Sequence, residues 1–361
     1  MFLIKEGKKD RMKVHFMTGK VYNDYFYGSC YEFNALLKMN LISGELSFIN
    51  TFDGQEKFQK ALYRDSIMVD DVIYFLPDAA KGIAALDVAN NKIEVFPLPP
   101  KERICTGYNG ILLDGGKILM VPLCFEEDFY FFDTDKKQFE IAEDITNTIK
   151  GMFDNLKECL CLKLIQNKNN IVLPIAGTDF LIDVTYQDGS FKIKKNCSEM
   201  IISSLIECQN GYMAVSSDGK RIVKYLDGMV VEQKKITDDV NRYWAIQNDI
   251  EDNTIFLDKV NKKLLMYTNS FNDFSCENDN QIEWEYTASS CFFRSTDYNE
   301  AKLLYSINMN GIIVIKGHYN TFIKMIISNM EELEQYINKS MKENTVAESD
   351  SYGLNDFLKL L

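Results

Sequence analysis

His15 and His318 are the only imidazoles in the 361 residues, which closes every mechanism built on several histidines. A multi-histidine metal centre is excluded. A Ser-His-Asp triad lacks its usual support, because the chain contains no Gly-x-Ser-x-Gly elbow. His318 sits in Gly317-His-Tyr-Asn320 and reads as a surface turn residue. The nine cysteines are odd in number and scattered, the pattern of free, mostly buried thiols in a reducing cytoplasm. Cys159-x-Cys161 points two sulfurs to one face of a strand. No second pair at ligand spacing accompanies it, so zinc is not expected. The acidic runs Glu126-Glu127-Asp128 and Asp249-x-Glu251-Asp252 miss the spacing of a calcium loop and read as solvated loop charges. Ser216-Ser-Asp-Gly-Lys220 matches part of an Asp-box and reads as a hairpin turn. No catalytic set, metal or cofactor is expected.

What remains depends on the elements that position it, and these repeat. Val72 to Phe96 reads as three short strands, Val72–Leu76, Ile83–Val88 and Lys92–Phe96, with a tight Asn90-Asn91 turn before the last. Asn40, Asp87, Asp133 and Asp183 each follow an apolar run, at intervals of 47, 46 and 50 residues. A second landmark, Pro77, Pro122 and Pro174, ends the middle strand, since proline cannot donate to a ladder. After each Asp or Asn comes a strand with apolar residues two apart, as in Gln138-Phe-Glu-Ile141. Units of roughly 45 residues with three or four strands have the period of a β-propeller blade.

The reading is therefore all-β: a single seven-bladed β-propeller over residues 1–327, with six or eight blades as the alternatives. The innermost strands are expected at Val14–Thr18, Ser66–Val69, Gly110–Leu113, Cys161–Ile165, Ser204–Glu207, Trp244–Asn248 and Cys291–Ser295. Closure is left open between Met1–Ile4, as an outer strand of the last blade, and that blade's own residues. A C-terminal helix is expected over 328–342, with Met330, Leu333, Ile337 and Met341 as its apolar stripe. Residues 343–361 read as a flexible tail ending in a short amphipathic helix. There Leu354, Phe357, Leu358 and Leu361 form one face suited to docking on the propeller or a partner.

In a propeller, the loops entering each innermost strand share one face with the loops between second and third strands. On that face the sequence places Tyr63, Arg64, Asp78, Tyr108, Asn109, Cys124, Phe125, Arg242, Tyr243, Trp244 and Arg294. Aromatic rings supply contact area and arginine a forked donor, so Tyr63, Arg64, Asp78, Tyr108, Asn109, Arg242, Tyr243, Trp244 and Arg294 are the expected ligand-binding residues. A net charge of −13 argues against nucleic acid and anionic membrane. No apolar run approaches a membrane span, and none has the form of a signal peptide.

Tyr27-Gly-Ser-Cys-Tyr-Glu-Phe-Asn-Ala-Leu-Leu-Lys-Met-Asn40-Leu-Ile-Ser-Gly-Glu-Leu46 resembles the opening blade of a group of cytoplasmic, kelch-like propellers of low-GC Gram-positive bacteria. There the segment reads Phe-Asn-Gly-Leu-(aromatic)-Lys-Ile-Asp-Leu-x-Thr-Gly-Glu. Phe33-Asn34, Leu36-Leu37, Lys38, Leu41 and Gly44-Glu45 match, with Ala35 in place of the glycine. Elsewhere the signatures are thin: Asp114-Gly115-Gly116 is a single kelch-type double glycine, and no Trp-Asp pair occurs. The resemblance implies fold and a cytoplasmic location and brings no catalytic residues.

The expected function is a non-enzymatic recognition or scaffold module that binds a protein, peptide or glycan through the channel face. The alternative is a carbohydrate-active hydrolase or lyase using channel carboxylates or a metal, with Asp78, Glu126 and Asp249 as its candidate acids. Oligomeric state is not legible.

Overall fold

A computed structural model of the chain describes residues 14–100, 107–161, 164–167, 170–187, 189–198, 200–208, 211–226, 229–239, 243–248, 253–258, 260–261, 263–267, 271–273, 293–307, 309–316 and 319–327. The first blade is β1 (Phe16–Tyr22), β2 (Tyr25–Cys30), β3 (Leu36–Asn40) and β4 (Glu45–Asn50). The next is β5 (Tyr63–Val69), β6 (Val72–Pro77), β7 (Gly82–Asp87) and β8 (Lys92–Pro97). Then come β9 (Tyr108–Leu113), β10 (Lys117–Pro122), β11 (Tyr130–Asp133) and β12 (Gln138–Ile141), followed by helix α1 (Glu143–Lys150). After it run β13 (Ile165–Asn167), β14 (Asn170–Pro174), β15 (Phe180–Gln187) and β16 (Ser190–Cys197). The chain continues with β17 (Ile202–Cys208), β18 (Gly211–Ser216), β19 (Arg221–Leu226) and β20 (Met229–Lys235). Next are β21 (Tyr243–Asn248), β22 (Thr254–Asp258), β23 (Lys263–Tyr267) and β24 (Phe271–Asp273). The last blade is β25 (Phe293–Tyr298), β26 (Ala301–Ser306), β27 (Gly311–Lys316) and β28 (Tyr319–Lys324), and β29 (Ile326–Ile327) ends the described chain.

Consecutive strands pair antiparallel. The described strands form six four-stranded sheets and one five-stranded sheet, in which β29 lies parallel outside β4. The architecture is an all-β propeller. Its core is split among the contacts between neighbouring sheets rather than gathered at the centre. Phe75, Leu86 and Tyr63 meet Tyr27 and Leu36 of the first blade, while Ile83 and Leu76 meet Ile118, Met120 and Phe132 of the next. The ring closes the same way, with Leu303, Tyr305 and Ile312 packed on Phe16, Phe26 and Leu37. A sheet covered on both faces needs apolar residues at successive positions, which is why Ile118-Leu-Met-Val121 is buried throughout. The outermost strand β8 instead shows exposed Lys92 and Glu94.

The turn landmarks are closed by their own side chains. Asn40 Oδ1 accepts from the Ile42 and Ser43 N–H groups, and Asp133 Oδ1 from those of Asp135 and Lys136. Asp87 accepts from Asn90, and Asn91 adopts the left-handed conformation at φ 52. Asp183 is the exception. It lies inside β15, where it is half-buried and bonded to Asn196.

Two features depart from the expectations. Residues 143–150 form a helix where only strands and turns were read. Its Ile145 and Ile149 pack on Phe125 and Phe129, and Thr146 Oγ1 accepts the Phe129 N–H at 3.1 Å. The neighbouring acidic run is correspondingly not a solvated loop: Glu127 is buried, and Asp128 pairs with Lys150 at 2.6 Å. The last blade closes on its own residues, β25–β28, the second of the two expected routes, and what was not expected is that β29 then crosses to the first blade. The Ile326 N–H donates to the Gly44 carbonyl at 2.8 Å. Met1–Ile4, Arg242, Asp249, His318, the 328–342 helix and the tail with Leu354, Phe357, Leu358 and Leu361 lie outside the described residues. Among those described, no helix is long and apolar enough to cross a membrane.

Candidate functional site

In several blades the residue after the second strand bonds back to the residue before the first. The N–H groups of Tyr31, Asp78, Leu123 and Ser217 donate to the carbonyls of His15, Leu62, Gly107 and Ile201. The loops entering the innermost strands and the loops between second and third strands therefore meet at one end, the channel mouth.

Just inside it runs a row of polar residues. Thr18, Asp65, Asn109, Ser204 and Arg294 each sit opposite the penultimate residue of the second strand in their blade. Next to three of them the innermost strand carries a bulge, at Met17, Arg64 and Ser203. A bulge breaks the strict alternation of side chains and re-aims the extra residue. In β5 that residue is Arg64, which places two charged side chains in succession at the mouth.

These groups tie one blade to the next. Thr18 Oγ1 donates to Ser66 Oγ at 2.9 Å, and the Gly110 N–H donates to Asp65 Oδ2 at 2.9 Å. Asn109 Nδ2 donates to the Cys161 carbonyl at 3.3 Å. Arg294 spans further. Its Nη1 lies 3.9 Å from Asp65 Oδ1, so the last blade reaches the second across the first. Arg64 Nη1 lies 3.7 Å from Asp78 Oδ1. Neither ion pair is at hydrogen-bond distance.

The electrostatics follow from crowding like charges in a poorly solvated channel. Burial, aided by the like charge of Arg294, brings the Arg64 guanidinium down to about 10, against the pull of Asp78 and Asp65. Burial also lowers the half-buried Lys20 ammonium, with Asp65 and Asp297 opposing the shift. The Asp78 carboxyl is raised by burial and drawn back by Arg64 and Arg294. The Cys161 thiol is pushed up to about 12 by burial, so it is no nucleophile at neutral pH.

A second cluster opens the first blade. The carboxylate of Glu32 accepts the His15 backbone N–H at 3.0 Å, meets His15 Nδ1, and accepts from Cys30 Sγ at 3.2 Å. The order matters chemically. Glu32 stands between thiol and imidazole, so His15 does not activate Cys30 through this contact. Burial, followed by the charge of Glu32, holds that thiol well above its ordinary value. Among the described residues no group of three or more His, Cys, Asp or Glu is placed to hold a metal ion.

The expected ligand-binding residues separate into groups. Arg64, Asp78 and Arg294 converge at the mouth. Tyr63, Tyr108 and Asn109 are buried. Tyr63 packs against Phe52 and Phe75, with ring centroids 4.5 and 5.9 Å away, and Tyr108 packs against Tyr130. Tyr243 and Trp244 are on β21, paired with Asp258 and Leu257, and Arg242 lies outside the described residues. Sequence reasoning missed Asp65 and Lys20. The available signal was Arg64-Asp65-Ser66, three polar residues in succession in a strand that otherwise reads apolar.

Tyr63 offers a direct check on burial. Its hydroxyl is enclosed and has no hydrogen-bond partner among the described residues, and burial raises its pKa. Tyr63→Phe removes a desolvated donor without leaving a cavity and is expected to stabilise the fold by about 1 kcal/mol. Urea unfolding measures it. A loss of stability would show that the hydroxyl has a partner in solution.

No protein-family model matches the chain, and no curated protein matches its sequence. Solved structures do match its shape. A streptogramin B lyase is 12% identical, with a TM-score of 0.58 over 83% of this chain and 91% of that one. A catalytically inactive virginiamycin B lyase from Staphylococcus aureus with quinupristin is 13% identical, with a TM-score of 0.56 over 83% and 94%. YCF48 bound to D1 peptide is 7% identical, with a TM-score of 0.58 over 84% and 91%. At these identities the likeness is one of fold alone, and that fold is the β-propeller.

Proposed function

We propose that this chain is a non-enzymatic recognition or scaffold propeller that binds a protein, peptide or glycan at its channel mouth. The observation that carries the reading is the pair of long ion pairs, Arg64 with Asp78 and Arg294 with Asp65, drawn from the second and last blades to one end of the ring. A rigid ring holds such groups in place without a ligand, which lowers the ordering cost of binding. A cytoplasmic setting and the kelch-like character of the opening blade belong to this proposal. Arrays of peptides and glycans probed with the purified chain and with Arg294→Gln test it. Binding that weakens in the variant supports the reading, and binding untouched by it moves the site elsewhere.

A second reading, a hydrolase or lyase, draws on Asp78, whose carboxyl burial raises toward the range of a general acid. Turnover of a glycan that Asp78→Asn abolishes would decide for it.

A further inference from the structure

We propose that Lys20 is a covalent capture site for a small aldehyde or ketone that enters the channel. Its side-chain amine condenses with the carbonyl carbon to form an imine. This goes beyond recognition at the mouth and holds whatever that end of the ring binds.

The fold sets this amine on the channel wall. Thr18, two residues earlier on β1, reaches Ser66 on the innermost strand of the next blade. The register from Thr18–Ser29 to Tyr22–Tyr25 is unbroken, so Lys20 leaves the strand on the same side as Thr18. The strand is pinned at that point. The Tyr305 hydroxyl stands 3.2 Å from both the N–H and the carbonyl oxygen of Gly19. Lys20 itself is half-buried, which leaves its side chain within reach of a small molecule in the channel.

Among the described residues the Lys20 amine has no hydrogen bond and no ion pair. Other half-buried lysines are occupied. Lys137 donates to the Tyr74 hydroxyl, Lys150 pairs with Asp128, and Lys195 donates to the Met152 carbonyl. The two acids that attract Lys20 bond elsewhere: Asp65 accepts the Gly110 and Ser66 N–H groups and faces Arg294, and Asp297 pairs with Lys302. An amine attacks a carbonyl through its lone pair, which a bound proton blocks. Burial lowers the Lys20 pKa, Arg294 and Lys302 push it the same way, and Asp65 and Asp297 oppose them. The net direction is down, so the neutral amine is more populated here than on an exposed lysine.

The step balances without a further reactant. The nitrogen lone pair forms the C–N bond, and the carbonyl oxygen leaves as water with the two amine hydrogens while the C=N bond closes. Nothing is oxidised or reduced. A carbonyl is favoured over an acyl donor because a protonated imine keeps a positive charge facing Asp65 and Asp297, whereas an amide would discard it.

The test incubates the full chain with propionaldehyde or acetone, traps imines by reduction with sodium cyanoborohydride and locates them by peptide mass spectrometry. Lys92 is the internal reference, because it is exposed and its bond to Glu94 raises its pKa. At about pH 7.5 the Lys20 adduct is expected to form at least about 3-fold faster than that of Lys92. The advantage should shrink as the pH approaches about 10, where exposed lysines begin to lose their protons as well. Lys20→Arg keeps the charge and cannot form an imine. Shown by circular dichroism to be folded, it should lose the fast adduct and keep the slow ones. Equal rates at Lys20 and Lys92 would overturn the proposal. An advantage that stays constant with pH would overturn it too, by showing that the carbonyl gathers beside an ordinary amine. Neither result touches the peptide and glycan arrays, so failure here leaves the recognition reading standing.

Discussion

Gly44→Ala is expected to destabilise the propeller by about 2–4 kcal/mol, because it strikes the point where the ring is tied shut. Gly44 has φ +76, a left-handed conformation that costs a side-chain-bearing residue roughly 1–2 kcal/mol. Here the added Cβ would also stand 2.4 Å from the Lys324 carbonyl oxygen, so backbone has to move. What moves is the approach of β29 to β4, together with the bond from the Ile326 N–H to the Gly44 carbonyl. Gly54→Ala is the matched control. It has φ +72 and nothing within 4 Å of the added Cβ, so it bears the conformational cost alone. The difference between the two variants in urea unfolding reads the closure itself. Equal losses would mean that β29 contributes nothing to holding the first and last blades together.

Asp65→Ala is the second large effect, expected at about 2–4 kcal/mol. Its carboxylate accepts the Gly110 N–H of the following blade and its neighbour Ser66 N–H, and faces Arg294 of the last blade. Alanine leaves the Gly110 donor without this partner and removes a counter-charge from Arg294. The ion pair is a minor part of the loss. Its side chains are 20% and 24% exposed and 3.9 Å apart, where pairs contribute roughly 0–1 kcal/mol. Asp65→Asn separates the two contributions, because an amide oxygen still accepts from Gly110 while the charge is gone. It should cost about 1 kcal/mol and lose its salt dependence. If asparagine and alanine destabilise equally, charge and not the blade-to-blade hydrogen bond is what Asp65 supplies.

Much of the architecture was legible because it is local. Period-two alternation, prolines at Pro77, Pro122 and Pro174, and the turn chemistry of Asn40, Asp87 and Asp133 act over a few residues. Each of these three Asp and Asn residues closes its own turn, and every expected innermost strand overlaps an observed one. Asp183 carries the same signature within its sequence neighbourhood and is nevertheless inside β15. A turn-forming side chain yields when strand pairing on both sides claims its backbone. Helix α1 was hidden for the complementary reason. Eight residues are too few to hold a helix by their own propensity, and it is the shell of Phe125 and Phe129 that stabilises Ile145 and Ile149.

The site divides along the same line. Arg64, Asp78 and Arg294 were placed by their positions at strand starts and loops, and the ring brings them to one mouth. That Asp65 of the second blade faces Arg294 of the last, and that β29 returns to β4, is settled by closure of the ring. By itself the sequence determined an all-β chain of repeating units of three or four strands and the turns that separate them, since those depend on neighbours along the chain. Which charges meet, which tyrosines are buried and how the ends are joined were decided only by the tertiary structure, because each depends on groups from different strands, and the Asp65–Arg294 and β29–β4 contacts on groups from opposite ends of the chain.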